Sequence, residues 1–294
     1  MYQILKSAGV GSIKTVTLLC EEHGEFTAEV LMTKDGKFVG RQPHCPKCSA
    51  EYYEEHKEEI EAREREEFKR WQEEEKQRKE EQRQADFKDA LRKSGIPYEY
   101  WGVDLDEITF NDKTNNETLR QARLFAENFF DVRHEGVGLF FYGETGTGKT
   151  HLASAVLQAL MPEIRGKYTM LWKLIHEVKC AGFGEDPLQP YMQAPLLVID
   201  EIGVQFGSKF EETSIYPLID YRVTNRLPTI FISNVQPDTK QKTEGEETVR
   251  SIVGERVWDR IQFRSVFLPL HGASRRIRYR SVDDLIEHSK AETA

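Results

Sequence analysis

The stretch from Leu139 to Thr150, LFFYGETGTGKT, constrains this chain more than any other: a short apolar run passes without interruption into a glycine-rich loop. Gly143, Gly148, Lys149 and Thr150 fill the pattern G-x-x-x-x-G-K-[ST] without departure. Glycines let a backbone wrap tightly enough for its N–H groups to face phosphate oxygens. In such a loop, Gly143, Glu144, Thr145, Gly146, Thr147, Gly148, Lys149, Thr150 and His151 together cradle the phosphates of a nucleoside triphosphate. The lysine reaches the β- and γ-phosphates and the threonine hydroxyl ligates Mg²⁺. The run HLASAVLQAL from His151 to Leu160 has strong helix formers and no breaker. It predicts a helix whose N-terminus adds partial positive charge at the phosphates. Strand before and helix after is the context that separates a phosphate loop from a chance glycine turn. ATP and Mg²⁺ are therefore expected ligands.

A second acidic and polar set follows downstream. Leu196-Leu197-Val198-Ile199 runs into Asp200 and Glu201, a buried strand ending in two carboxylates beside the phosphate loop. Asp200 would help hold Mg²⁺ with Thr150, and Glu201 would polarise the attacking water. Thr229 to Ser233 is another strand, ending in Asn234, which is placed to orient that water or touch the γ-phosphate. Strand signals at 137–142, 168–172, 196–199, 229–233 and 265–268 alternate with helical patterns. This is an α/β arrangement with a mainly parallel sheet.

Three regions are expected: 1–50, 51–93 and 94–294. In the first, Thr15–Leu19 and Phe26–Met32, with a turn at Asp35-Gly36, read as a small antiparallel hairpin unit. It carries Cys20-x-x-His23 and Cys45-x-x-Cys48, paired knuckles that suit a tetrahedral Cys₃His zinc shell. His44 is a decoy on spacing. A closed shell is structural rather than catalytic, and it staples a unit too small to fold on its own core. Whether it grips DNA or protein stays open. The second region contains no Gly or Pro and mixes Glu with Lys and Arg at helical spacing. It predicts a long solvated spacer helix, with Phe68 and Trp71 as the alternative, partner-docking feature.

The chain has 294 residues, four cysteines and a net charge of −9. That charge argues against coating duplex DNA, though the stretch from Arg250 is basic and leaves room for a local nucleic-acid groove. No apolar run reaches membrane-spanning length, and the start lacks a signal-peptide pattern, so no membrane contact and a cytoplasmic setting are expected.

Taken together, the phosphate loop, acidic pair, polar strand end and later arginines resemble an AAA+ ATPase. The strings from Ile199 to Gln205, Ser208 to Glu212 and Gly254 to Ile261, with Phe87 to Pro97, are similar to the DnaC-type bacterial helicase loaders over roughly residues 85–282. The resemblance implies Lys149 and Thr150 as Walker A, Asp200 and Glu201 as Walker B, and Asn234 as sensor 1. Arg260 matches an arginine finger acting on a neighbour's ATP, with Arg256 serving the same interface, so self-association through the ATP site is implied. Arg275 matches the sensor 2 arginine, with Arg276 the alternative register. Ser208, Lys209 and Phe210 fall where the family touches single-stranded DNA, and Phe183 is a weaker candidate for the same pore. The implied partner is a replicative hexameric DNA helicase, loaded onto single-stranded DNA with ATP hydrolysis. The alternative is an IstB-like transposition helper acting on duplex DNA with a transposase. The zinc unit and charged helix stand where the best-known loaders carry a short helical domain.

Overall fold

A computed structural model of the chain describes residues 10–33, 43–203, 209–238, 247–276, 281–283 and 286. The side chains of 10–12 and 209–212 lie outside that description. The chain divides into two compact units, Met1–Glu80 and Glu81–Ala294.

In the first unit, β1 (Val10–Cys20) and β2 (Gly24–Thr33) pair antiparallel, with Leu18 opposite Phe26 and Val16 opposite Ala28. Side chains on β2 alternate as a half-buried strand requires: Phe26, Ala28 and Val30 face inward, while Glu25, Thr27 and Glu29 are exposed. The hairpin turns at Glu21–His23, inside the first metal knuckle. The expected turn at Asp35-Gly36 lies outside the described residues. Helix α1 (Pro46–Glu55) starts within the second knuckle, with proline in its first turn, where a missing N–H costs nothing. At His56 the helix closes on Tyr52 O, and α2 (Lys57–Ser94) begins. The charge-rich segment is thus two helices rather than one. Pairs such as Arg65 with Glu61 (3.0 Å) and Lys93 with Asp89 (2.9 Å) lace α2 at i,i+4 spacing. Only Ala90, Leu91 and Ser94 of α2 are buried, and they belong to the core of the second unit.

That unit is built on a five-stranded sheet in the order β4-β5-β6-β3-β7, parallel at every pairing. After α3 (Lys113–Glu127) and the short α4 (Phe129–Val132) come β3 (Gly138–Tyr142), α5 (Lys149–Ala159), β4 (Lys167–Met170), α6 (Leu171–Cys180) and α7 (Gln189–Met192). Then follow β5 (Leu197–Asp200), α8 (Lys209–Thr224), β6 (Thr229–Ser233), α9 (Val249–Val253), α10 (Glu255–Phe263) and β7 (Ser265–Pro269). Each expected strand is present to within two residues at either end. Strand alternation divides the core into two clusters. Leu139, Phe141, Val198 and Ile230 pack with α5 and the end of α2 on one face, while Phe140, Leu197, Ile199 and Phe231 pack with α6, α8 and α10 on the other. Helices therefore cover both faces, the usual condition for an all-parallel sheet.

Arg222, at the end of α8, is among the largest fully buried side chains. Its guanidinium donates to the carbonyls of Tyr191, Met192, Ala194 and Pro228 and to the Thr229 hydroxyl, stitching α7 and the entry of β6 to α8. Burial lowers its pKa, but with its donors matched by oxygens the cation is well accommodated. Among the described residues, no helix is long and apolar enough to cross a membrane.

Candidate functional site

Strand β3 is an interior strand, flanked by β6 and the edge strand β7, and its C-terminal end delivers the chain directly into the glycine loop. Gly143 sits at φ +136°, and a Cβ there would stand 1.9 Å from Leu270 O. Gly146, at φ +84°, leaves no room for a Cβ against Ser274 Oγ, 2.3 Å away. Both positions need glycine for conformation and for space. Thr147 Oγ1 donates to Glu144 O at 2.9 Å, bracing the loop from within, and Glu144 pairs outward with His271 at 3.3 Å. Helix α5 then begins at Lys149, which aims its N-terminus into the cleft.

A cleft of about 1000 Å³ opens at this edge, bordered by Thr145, Gly146, Gly148, Lys149, Thr150 and His151. Asp200, Glu201, Asn234, Arg275 and Arg276 border it from the other strand ends and the segment after β7. Lys149 Nζ donates to Gly143 O (2.9 Å) and Glu144 O (2.6 Å). Burial draws its pKa down to about 8, against the pull of Asp200 and Glu144. Thr150 Oγ1 donates to Asp200 Oδ2 at 2.8 Å, which brings together the two residues expected to share a cation. Glu201 adopts φ +60°, a left-handed conformation that costs about 1–3 kcal/mol for a residue with a side chain. Burial and the charge of Asp200 both raise its pKa, with Arg276 opposing. A carboxylate of raised basicity, carried at a strand end on a strained backbone, is suited to water activation.

Other expected residues lie elsewhere. Arg260, on α10, donates to Asp220 Oδ1 (2.8 Å) and Asp259 Oδ2 (3.2 Å) and is not among the residues bordering the cleft. Arg256 is exposed on the same helix. Lys209 and Phe210 open α8 and their side chains are outside the described residues, as is Ser208 altogether. Phe183 is fully exposed between α6 and α7.

Sequence reasoning missed the front wall of the cleft. Glu99, Tyr100, Gly102, Val103 and Asp104, then Glu107 to Phe110, border it opposite the loop. Gln158 of α5 fixes that wall, accepting from Gly102 N (2.8 Å) and donating to Tyr100 O (2.8 Å). The signals were a buried-length helix run interrupted by one amide, and the aromatic string Tyr98-Glu99-Tyr100-Trp101 ahead of a phosphate loop. Arg275 lies over the Phe110 ring at 4.2 Å and donates to Thr109 O, so it also ties the segment after β7 to this wall.

In the first unit, one ligand atom each from Cys20, His23, Cys45 and Cys48 falls within 4.8 Å of all the others. Cys20 and Cys48 Sγ are 3.5 Å apart, and His23 Nδ1 is 3.2 Å from Cys48 Sγ and 3.8 Å from Cys20 Sγ. Bond lengths of about 2.3 Å to sulfur and 2.0 Å to nitrogen give tetrahedron edges of roughly 3.5–3.8 Å, so the donor set fits Zn²⁺. His23 Nε2 meets Glu51 Oε1 at 3.1 Å, the carboxylate support usual behind a ligating histidine. Backbone N–H groups of Glu22 and His23, and the His23 ring, draw the Cys20 thiol down to about 6, toward its metal-binding form. His44 does not join the group and is exposed.

A parallel five-stranded sheet, a phosphate loop after the interior strand β3 and carboxylates at the end of β5, with β6 between the two, define the AAA+ P-loop ATPase fold. Residues 49–283 match the family model described as IstB-like ATP binding protein, and the chain belongs to that family. It is 30% identical over 183 residues to the replicative helicase loader DnaC of Buchnera aphidicola subsp. Acyrthosiphon pisum, an alignment spanning 59% of this chain and 68% of that one. It is 28% identical to the replicative helicase loader DnaC of Escherichia coli strain K12 over 61% of this chain and 71% of that one. A crystal structure of the DnaC helicase loader superposes over 60% of this chain and all of the other, with a TM-score of 0.51 and 30% identity. Cys20, His23, Cys45 and Cys48 precede the span matched by the family model.

Proposed function

We propose that this chain is an ATP-dependent loader of a replicative hexameric DNA helicase onto single-stranded DNA, with a zinc-stapled N-terminal unit. The observation that carries the reading is the gathering of Lys149, Thr150, Asp200, Glu201 and Asn234 at one cleft, with Arg260 outside it on an accessible helix. Such a site binds ATP alone and is completed by a second copy. The similarity to proteins named replicative helicase loaders supports the choice of partner over the transposition-helper alternative.

Lys149 would leave its two carbonyl partners to hold the β- and γ-phosphates. Thr150 and Asp200 would hold Mg²⁺, which supplies charge neutralisation at those phosphates. Glu201 would accept a proton from the attacking water, with Asn234 orienting it. Arg260 of a second copy would stabilise transition-state charge, after exchanging Asp220 for phosphate. Arg275 would report the nucleotide state through Gly146, whose carbonyl accepts from Arg275 N at 2.8 Å. Ser208, Lys209 and Phe210 would line the DNA path, and Zn²⁺ on Cys20, His23, Cys45 and Cys48 would hold the N-terminal unit together.

The test is a helicase pull-down with the full chain in ATP, ADP and no nucleotide, alongside ATPase assays with single-stranded and duplex DNA. Expected are helicase capture, stimulation by single-stranded DNA, and loss of hydrolysis but not of ATP binding in Arg260→Ala. No helicase capture in any nucleotide state, with stimulation by duplex DNA instead, would refute the loader reading in favour of the alternative.

A further inference from the structure

Asp200 is held by three donors, and one of them comes from an element with no part in the roles assigned above. Its Oδ1 accepts from Glu201 N at 2.6 Å. Its Oδ2 accepts from Thr150 Oγ1 at 2.8 Å and from the Tyr168 hydroxyl at 2.7 Å. Tyr168 lies on β4, the edge strand beyond β5, and is 4% exposed. In the β4–β5 register it stands opposite Val198, two residues before Asp200. Val198 and Asp200 share one face of β5, so a diagonal neighbour needs a long side chain to reach the carboxylate. Phenylalanine would fill the same apolar volume, but only the phenol brings a donor to Oδ2.

The two donors to Oδ2 are not equivalent. Thr150 is the residue whose hydroxyl turns to the cation when nucleotide enters a loop of this kind. The Thr150 oxygen can ligate the cation through a lone pair and still donate its proton, so its bond to Oδ2 must follow the cation's geometry just when the carboxylate must face the cation's shell. Tyr168 is under no such competing demand.

We propose that Tyr168 is a positioning residue for the divalent cation of the nucleotide site: it fixes the Asp200 carboxylate while the Thr150 hydroxyl turns its oxygen to the cation. The inference rests on the ATP-binding reading of the cleft. It predicts that Tyr168 matters for the cation-bound complex and not for nucleotide binding as such.

Tyr168→Phe in the full-length chain tests this by equilibrium binding of a fluorescent ATP analogue, first in chelator and then with Mg²⁺ titrated, beside a thermal melt. The analogue should bind the variant as it binds the wild type in chelator, while the Mg²⁺ midpoint rises about tenfold, as on loss of an outer-shell partner. A Mn²⁺ titration followed by electron paramagnetic resonance should show the same shift. An unchanged Mg²⁺ midpoint overturns the proposal, and so does an affinity loss equal with and without cation, which would mark Tyr168 as structural only. A wild-type chain that binds no analogue in either condition overturns the nucleotide reading itself, an outcome distinct from normal wild-type binding with an indifferent variant.

Discussion

Raising the pH from about 7 to about 9 is expected to weaken ATP binding about tenfold through Lys149 alone. In the nucleotide-free cleft this ammonium is turned away from water onto the carbonyls of Gly143 and Glu144, and burial brings its pKa from 10.5 down to about 8. Asp200 and Glu144 favour the charged form and Arg276 disfavours it, but burial dominates. A triphosphate would surround the same ammonium with negative charge and lift its pKa again, so binding takes up a proton wherever the free lysine is neutral. With a free-state pKa of about 8 the affinity is nearly flat below pH 7 and falls toward a factor of ten per pH unit above pH 8. Titration calorimetry in two buffers of different ionisation heat, near pH 8.5, should register uptake of well over half a proton per ATP. Stability of the nucleotide-free chain moves the other way. The unfolded chain binds more protons at this lysine between pH 8 and 10.5, so the contribution of Lys149 becomes less unfavourable as pH rises through that window. A flat affinity from pH 7 to 9 without proton uptake would refute the argument that Lys149 is desolvated in the open site.

Two further outcomes follow from the geometry. The purified chain should carry one Zn²⁺ per molecule by elemental analysis. Cys45→Ser, which replaces a buried ligand, should lose it together with the β-hairpin signal, leaving ATP affinity unchanged because the nucleotide cleft is formed wholly by the second unit. Gln158→Leu keeps the volume within α5 but leaves Tyr100 O and Gly102 N without their partner. It should cost roughly 1–3 kcal/mol of stability in urea denaturation and weaken ATP binding through a loosened front wall, with Mg²⁺ dependence intact.

What could be read from the sequence was local in the chain. The phosphate loop, the strand running into Asp200 and the strand ending at Asn234 announce themselves by motif and by apolar runs of four or five residues. The structure brings their ends to one cleft because parallel strands present their C-terminal ends along one edge. The two metal knuckles were legible for the same reason, since each pair of ligands is separated by two residues. The antiparallel hairpin was legible from its two apolar runs, and the structure bends the chain between them at Glu21–His23, where Cys20 and His23 approach one another. The unreadable residues act across the fold. Tyr168 reaches Asp200 from another strand, Gln158 reaches back to Tyr100, and Arg222 gathers carbonyls from the region of Tyr191 to Ala194. In sequence each looks like an ordinary core aromatic, a stray amide or a solvated helix charge. Only sheet order, with β4 next to β5 and the α5 face behind both, turns a tyrosine two positions short of the acidic pair into a donor for it. The chemistry of this site is therefore written locally, and its precision is written in the register between strands.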